Sequence, residues 1–307
     1  MGKRRYTKEQ YIAAYNEHGS TRRAAKVLGV SHTVIARAVQ SHNLKNGVPQ
    51  PGMRRLFFDI ETSPNLGFFW RPGYKVRLTH DNIVKERAII CICWKWEGVD
   101  EVHSLTWDEN QCDKAMLEEF VKVAEKADQV VGHNGDRFDI KWFRTRCLFH
   151  RIQTRAKFDT IDTLKIARGQ FNFNSNRLDY IGQFLGLGGK IETGYNLWKD
   201  IVLKNCPDAM DKMVTYCKRD VELLEKVHDE FKRYYEPKIH RAVATGGEKY
   251  DCPECGSPHS EYHGQRTTKM GTVKHRMRCK SCQITWSISN RTYLDYLREK
   301  IKNESGV

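Results

Sequence analysis

The stretch FFDIETSP at residues 57–64 constrains the fold more than any other part of the chain. Leu56, Phe57 and Phe58 run straight into Asp59 and Glu61, two carboxylates one residue apart. A short apolar run of this kind reads as a buried strand. Side chains alternate along a strand, so both acids leave the same face. Two acids side by side at the end of a buried strand lose hydration and repel each other, and a divalent cation is the natural counter-charge. A strand end with two solvated acids would use the same residues, so the remaining acids of the chain must decide.

Those acids recur downstream. A short apolar strand at 129–132 delivers VGHNGDRFD at 131–139, and Asp139 opens a helix with Ile140, Phe143 and Cys147 inward. Further strands are expected at 87–96, 101–107 and 158–164, and helices at 113–127, 177–187 and 208–235. On the last helix Tyr216 and Asp220 lie four apart and share a face. Strands first, then alternating strand and helix, predict an α/β fold with a mixed sheet flanked by helices.

FDIET, HNGDRFD and YCKRD, in this order and at these separations, resemble the DEDD superfamily of 3′–5′ exonucleases. The proofreading domains of family B polymerases are the nearest relatives suggested by the motifs, and the resemblance covers residues 55–235. It implies a ribonuclease-H-like, five-stranded mixed sheet. By motif position it implies Asp59, Glu61, Asp139 and Asp220 as ligands of two Mg²⁺ or Mn²⁺ ions, with Asp59 bridging. Tyr216 matches the tyrosine subclass and would orient the attacking water. Asn134 matches the second motif, and Thr62 would lie along the terminal nucleotide. The chemistry is consistent, since two cations about 3.5–4 Å apart can serve both ends of an in-line displacement at phosphorus. Asp136, Asp159 and Asp162 read as structural acids, and His133 as a packed or hydrogen-bonded histidine.

The net charge of +14 is unevenly spread. Residues 1–55 carry eleven basic and two acidic side chains, and residues 238–307 carry thirteen and seven, which leaves the middle near neutral. Basic arms around a neutral centre suit an enzyme that grips a polyanion. Residues 1–45 resemble a helix-turn-helix, with helices at 7–17, 21–28 and from Ser31 to about residue 42. Ile35, Ala38 and Val39 would face inward, and Arg37 and Gln40 are side chains suited to base edges. Residues 46–54 read as a linker and 55–237 as the catalytic domain.

Cys252, Cys255, Cys279 and Cys282 form two CxxC pairs that resemble a zinc ribbon over 248–290. Four thiolates satisfy one tetrahedral Zn²⁺, and a module this small needs it to fold. A basic helix over 291–307 follows. The other six cysteines read as reduced core residues, which points to a cytoplasmic protein, and the compact layout of the chain would fit a bacterial or phage-infected cell. No apolar run is long enough for a membrane helix. The loop FFWRPGY at 68–74 would either stack bases or pack beneath the chain. The expected activity is metal-dependent 3′–5′ exonucleolysis, on DNA in preference to RNA because a recognition helix does not enter an RNA major groove. A transposase- or resolvase-like endonuclease, an RNA exonuclease and a catalytically inactive DNA-binding regulator are the alternatives.

Overall fold

The computed structural model describes residues 6–18, 21–35, 38–39, 53–71, 73, 76, 78–189 and 194–304. The chain divides into two compact units, Arg54–Phe231 and a second drawn from residues 1–53 and 232–307.

The unit Arg54–Phe231 is built on strand β1 (Arg55–Thr62). A small ribbon, β2 (Leu66–Gly67) and β3 (Ile83–Lys85), leads to β4 (Ile89–Trp96) and β5 (His103–Thr106). Helices α1 (Lys8–His18) and α2 (Thr21–Leu28) belong to the other unit, so the first helix after the meander is α3 (Lys114–Ala124). Then come β6 (Gln129–Gly132), α4 (Asp139–Phe149), β7 (Thr160–Asp162), α5 (Thr163–Gln170), α6 (Leu178–Phe184), α7 (Asn196–Lys204) and α8 (Pro207–Phe231). The sheet order is β5-β4-β1-β6-β7. β1 pairs antiparallel with β4 and parallel with β6, and β7 extends the parallel edge. This is the mixed five-stranded, ribonuclease-H-like sheet that the sequence implies.

β1 is buried on both faces, and its alternation sorts the two. Leu56, Phe58 and Ile60 pack with Leu117 and Phe120 of α3 and Phe143 of α4. Phe120 lies 5.5 Å from Phe58 and 5.4 Å from Phe143, centroid to centroid. Each such ring stabilises the fold by about 2 kcal/mol through burial. Phe57 and Asp59 face the other way, toward α8, where Phe57 meets His228 edge-on and Asp59 meets Cys217. The apolar cluster thus anchors one face and frees the other for acids.

One expectation is corrected. The strand expected at 158–164 is only Thr160–Asp162, because the Asp162 carboxylate accepts the Leu164 N–H and caps α5. A capping aspartate is strongly preferred at that position, and it overrides the apolar run. The helices α5 and α7 and the β2–β3 ribbon were not expected at all.

In the other unit, Ala14, Ala24, Ala25, Ile35 and Val39 form a small core with α1 and α2. Residues 32–35 and 38–39 are helical, and the Ser31 hydroxyl accepts the Thr33 N–H. Arg37, Gln40 and nearly all of the 46–54 linker lie outside the described residues. After the short α9 (Arg241–Ala244), β8 (Ser260–Thr267), β9 (Val273–Cys279) and β10 (Thr285–Ser289) form an antiparallel sheet, followed by α10 (Asn290–Glu304). Met277, Ile284, Trp286 and Ile288 fill its core. Among the described residues no helix is long and apolar enough to cross a membrane.

Candidate active site

Asp59 and Glu61 leave β1 on the face covered by α8, and Asp220 reaches them from that helix. Carboxylate oxygens of these three residues all lie within 4.8 Å of one another. Asp139 stands outside this trio at the start of α4. It is 2% exposed, and its Oδ1 accepts the Ile60 N–H at 3.2 Å. Its charge still reaches the others. Burial pushes the Asp59 carboxyl well above the usual range, and next in size come the charges of Asp139, Glu61 and Asp220. Burial also pushes Asp139 up to about 7, even though its own N–H and that of Ile60 donate to it. Acids held together at this cost make a site that a cation relieves, and their hard oxygen donors fit Mg²⁺ or Mn²⁺.

The turn that delivers Asp139 is tight. A Cβ on Gly132 would lie 3.0 Å from the Gly135 Cα, so the chain closes on itself only with glycine there. Asn134 adopts a left-handed φ of 66°, and its N–H donates to Asp162 Oδ1 at 2.9 Å. Asparagine tolerates this conformation, which accounts for its place in the motif. Thr62 ends β1 just past a bulge, half-buried, and its carbonyl accepts the Trp198 indole N–H. His133 is fully engaged, with Nδ1 against Thr163 Oγ1 and Nε2 against the Asn176 carbonyl, both at 2.9 Å.

Tyr216 lies one turn before Asp220 and hydrogen-bonds to it. Burial and the charge of Asp220 push its phenol upward, so it stays protonated. Tyr216 and Asp220 form one wall of a cleft of about 490 Å³ whose other walls include Arg168, Asn176 and Arg177. The sequence reading passed over these residues. The run FNFNSNR at 171–177, in which polar residues alternate with the packed Phe171 and Phe173, was the available signal for Asn176 and Arg177, and Arg168 had none.

The sequence matches the RNase_H superfamily over residues 56–232. The chain belongs to that superfamily. Residues 4–45 match a helix-turn-helix domain. No curated protein matches the chain. Among solved structures, the family B DNA polymerase from the hyperthermophilic archaeon Pyrobaculum calidifontis is similar at a TM-score of 0.47 and 15% identity, over 60% of this chain and 25% of that one. The chain therefore spans about a quarter of that polymerase.

Two further features stand apart from the acidic site, one beyond the RNase_H-superfamily core in sequence and one within it. Cys252, Cys255, Cys279 and Cys282 converge, with Sγ atoms within 4.8 Å of one another. The N–H of Cys255 points at Cys252 Sγ, and those of Ser281 and Cys282 point at Cys279 Sγ. Gly256 takes a left-handed φ of 74° just after the first pair. Four sulfurs on two knuckles, with backbone donors aimed at thiolates, fit a zinc ribbon. His275 is held by Asn290 and stacks on Tyr293, so it serves the module's packing. Within the core unit, the loop after β2 leaves Phe68, Phe69 and Trp70 exposed at 78, 58 and 105%. The sequence left stacking and packing both open for these rings. The structure buries none of them.

Proposed function

We propose that the chain is a metal-dependent 3′–5′ exonuclease that hydrolyses phosphodiester bonds of nucleic acid, DNA in preference to RNA. The observation that carries this reading is the convergence of Asp59, Glu61 and Asp220, with Asp139 buried beside them, in an RNase_H-superfamily core. These four acids would hold two Mg²⁺ or Mn²⁺ ions, which when bound activate a water and neutralise charge on the leaving oxygen. The chain's own groups do the rest. Tyr216 keeps its proton and orients the attacking water through its hydroxyl. Arg168 and Arg177 line the cleft and hold phosphates by charge-assisted hydrogen bonds. Thr62 and Asn134 contact the terminal nucleotide. Phe69 and Trp70 stack the bases of an unpaired strand, and Phe68 lies six residues past Thr62, which bounds its distance from that residue to about 20 Å.

Residues 1–45 and 248–290 act as separate nucleic-acid-binding modules joined to the catalytic domain at 55–237, with Arg37 and Gln40 contacting base edges and one structural Zn²⁺ in the ribbon. Residues 46–54 link the first module to the core, and 291–307 add a basic helix.

The test is purified protein with Mg²⁺ on 3′-labelled and 5′-labelled single strands, duplexes and circles. Release of mononucleotide from the 3′ end, with circles intact, supports the reading; nicked circles favour an endonuclease. Trp70→Ala should raise KM on single strands by roughly tenfold and leave kcat unchanged, as loss of one stacked base predicts.

A further inference from the structure

We propose that Cys91, Cys93 and Cys217 form a further metal-binding centre, a three-thiol site for a thiophilic ion whose occupation inhibits the neighbouring carboxylates. Their Sγ atoms all lie within 4.8 Å of one another. All three residues are fully buried. Cys91 and Cys93 stand two apart on β4 and so share a face. In register, Cys93 lies opposite Asp59 and Cys91 opposite Glu61. Cys217 comes down from α8, next in sequence to Tyr216. A row of thiols therefore runs alongside the row of acids, on the same sheet face and under the same helix.

The two rows touch. Cys217 Sγ lies 3.5 Å from the Asp59 carbonyl and 3.7 Å from Asp59 Oδ2, and Cys93 Sγ lies 3.8 Å from the Val214 carbonyl. Soft sulfur selects Zn²⁺, Cd²⁺ or Cu⁺ and discriminates against Mg²⁺, which prefers the oxygens next door. The two sites thus differ in the ions they take. Rigid elements, a central strand and a long helix, present the sulfurs. An ion bound there displaces the thiol protons to solvent and gains Asp59 Oδ2 as a further donor. Asp59 is then drawn from the hard-metal site. This inhibitory consequence rests on the proposed exonuclease reading; the binding itself does not.

The experiment uses the full chain with its ribbon saturated with zinc. Cd²⁺ is titrated anaerobically, followed by the ultraviolet thiolate-to-cadmium band, and total zinc plus cadmium per chain is then counted by elemental mass spectrometry. Wild type is expected to hold one ion more than the double variant Cys91→Ala/Cys93→Ala. Cys217→Ala, which alters only the helix side, is expected to lose the same ion. Equal metal content in wild type and in every folded variant would overturn the proposal and leave three cysteines that simply fill the core. In the activity arm, Cd²⁺ should slow Mg²⁺-dependent hydrolysis by about tenfold in wild type and leave the double variant unaffected. If no hydrolysis is found in either protein, the exonuclease reading fails and the metal count still judges the site.

Discussion

One turn of α8 separates Tyr216 from Asp220, and that spacing sets what each can do. The phenol is protonated, nearly buried, and bound to a carboxylate that would also hold a cation. Tyr216→Phe removes only the hydroxyl and keeps the ring packed. It should lower kcat by roughly 10²-fold, the usual range for a group that positions or moves a proton, with KM and thermal midpoint nearly unchanged. An unchanged kcat would take Tyr216 out of the mechanism. The acids were legible because their chemistry is written in residue type and spacing. The offset of Asp139 from the other three was not, since it depends on a turn closed by Gly132 and Gly135. Nor were the cleft arginines, since Arg168 lies in the last turn of α5 and Arg177 just before α6, and only the fold brings the two to one cleft. The thiol cluster was hidden for another reason: Cys91, Cys93 and Cys217 look like ordinary core residues until register places them together.

At the scale of elements, Asp113 joins α3 to α4 and β4. Its carboxylate accepts two hydrogen bonds from Arg146 at 2.7 and 2.8 Å and one from the Ile89 N–H at 3.0 Å, and it lies 2.6 Å from His150 Nε2. Burial raises its pKa, but the bonds from Arg146, Ile89 and His150 outweigh burial and hold the carboxyl below its usual range. The folded form thus binds the proton less tightly than the unfolded form. Its stabilisation is complete above the unfolded value, about 3.9, and is lost as pH falls through that value toward the folded one. Asp113→Asn leaves Arg146 buried without its counter-charge and should cost roughly 3 kcal/mol at neutral pH. Unfolding curves should show the gap between wild type and variant narrowing below about pH 4. A gap independent of pH would contradict the assignment. Most of the core strands and helices could be read from periodicity, though α5 and α7 were missed. The β2–β3 ribbon could not, because strands of two and three residues have no period to show.

For the whole molecule, charge sits at the ends of the sequence and the acids at its centre. The ribbon's small core of Met277, Ile284, Trp286 and Ile288 is slight, and the proposed Zn²⁺ on its four sulfurs would supply the missing stability. Chelating zinc, or Cys279→Ser, should release hydrogen-exchange protection in β8–β10 and leave the protection of Arg54–Phe231 in place. Affinity for nucleic acid should fall, and its salt dependence should weaken with it. Protection retained in β8–β10 would show that the four sulfurs hold no structural ion. The claim on which the account rests is that Asp59 joins Glu61, Asp139 and Asp220 in holding the ions that cleave a phosphodiester. The most direct measurement compares wild type with Asp59→Asn on one labelled single strand, with and without Mn²⁺, scoring hydrolysis and binding side by side. The account predicts cleavage that requires Mn²⁺, falls by roughly 10³-fold in the variant, and leaves binding intact. A variant that cleaves as fast as wild type, or a wild type that cleaves without any divalent ion, would contradict it.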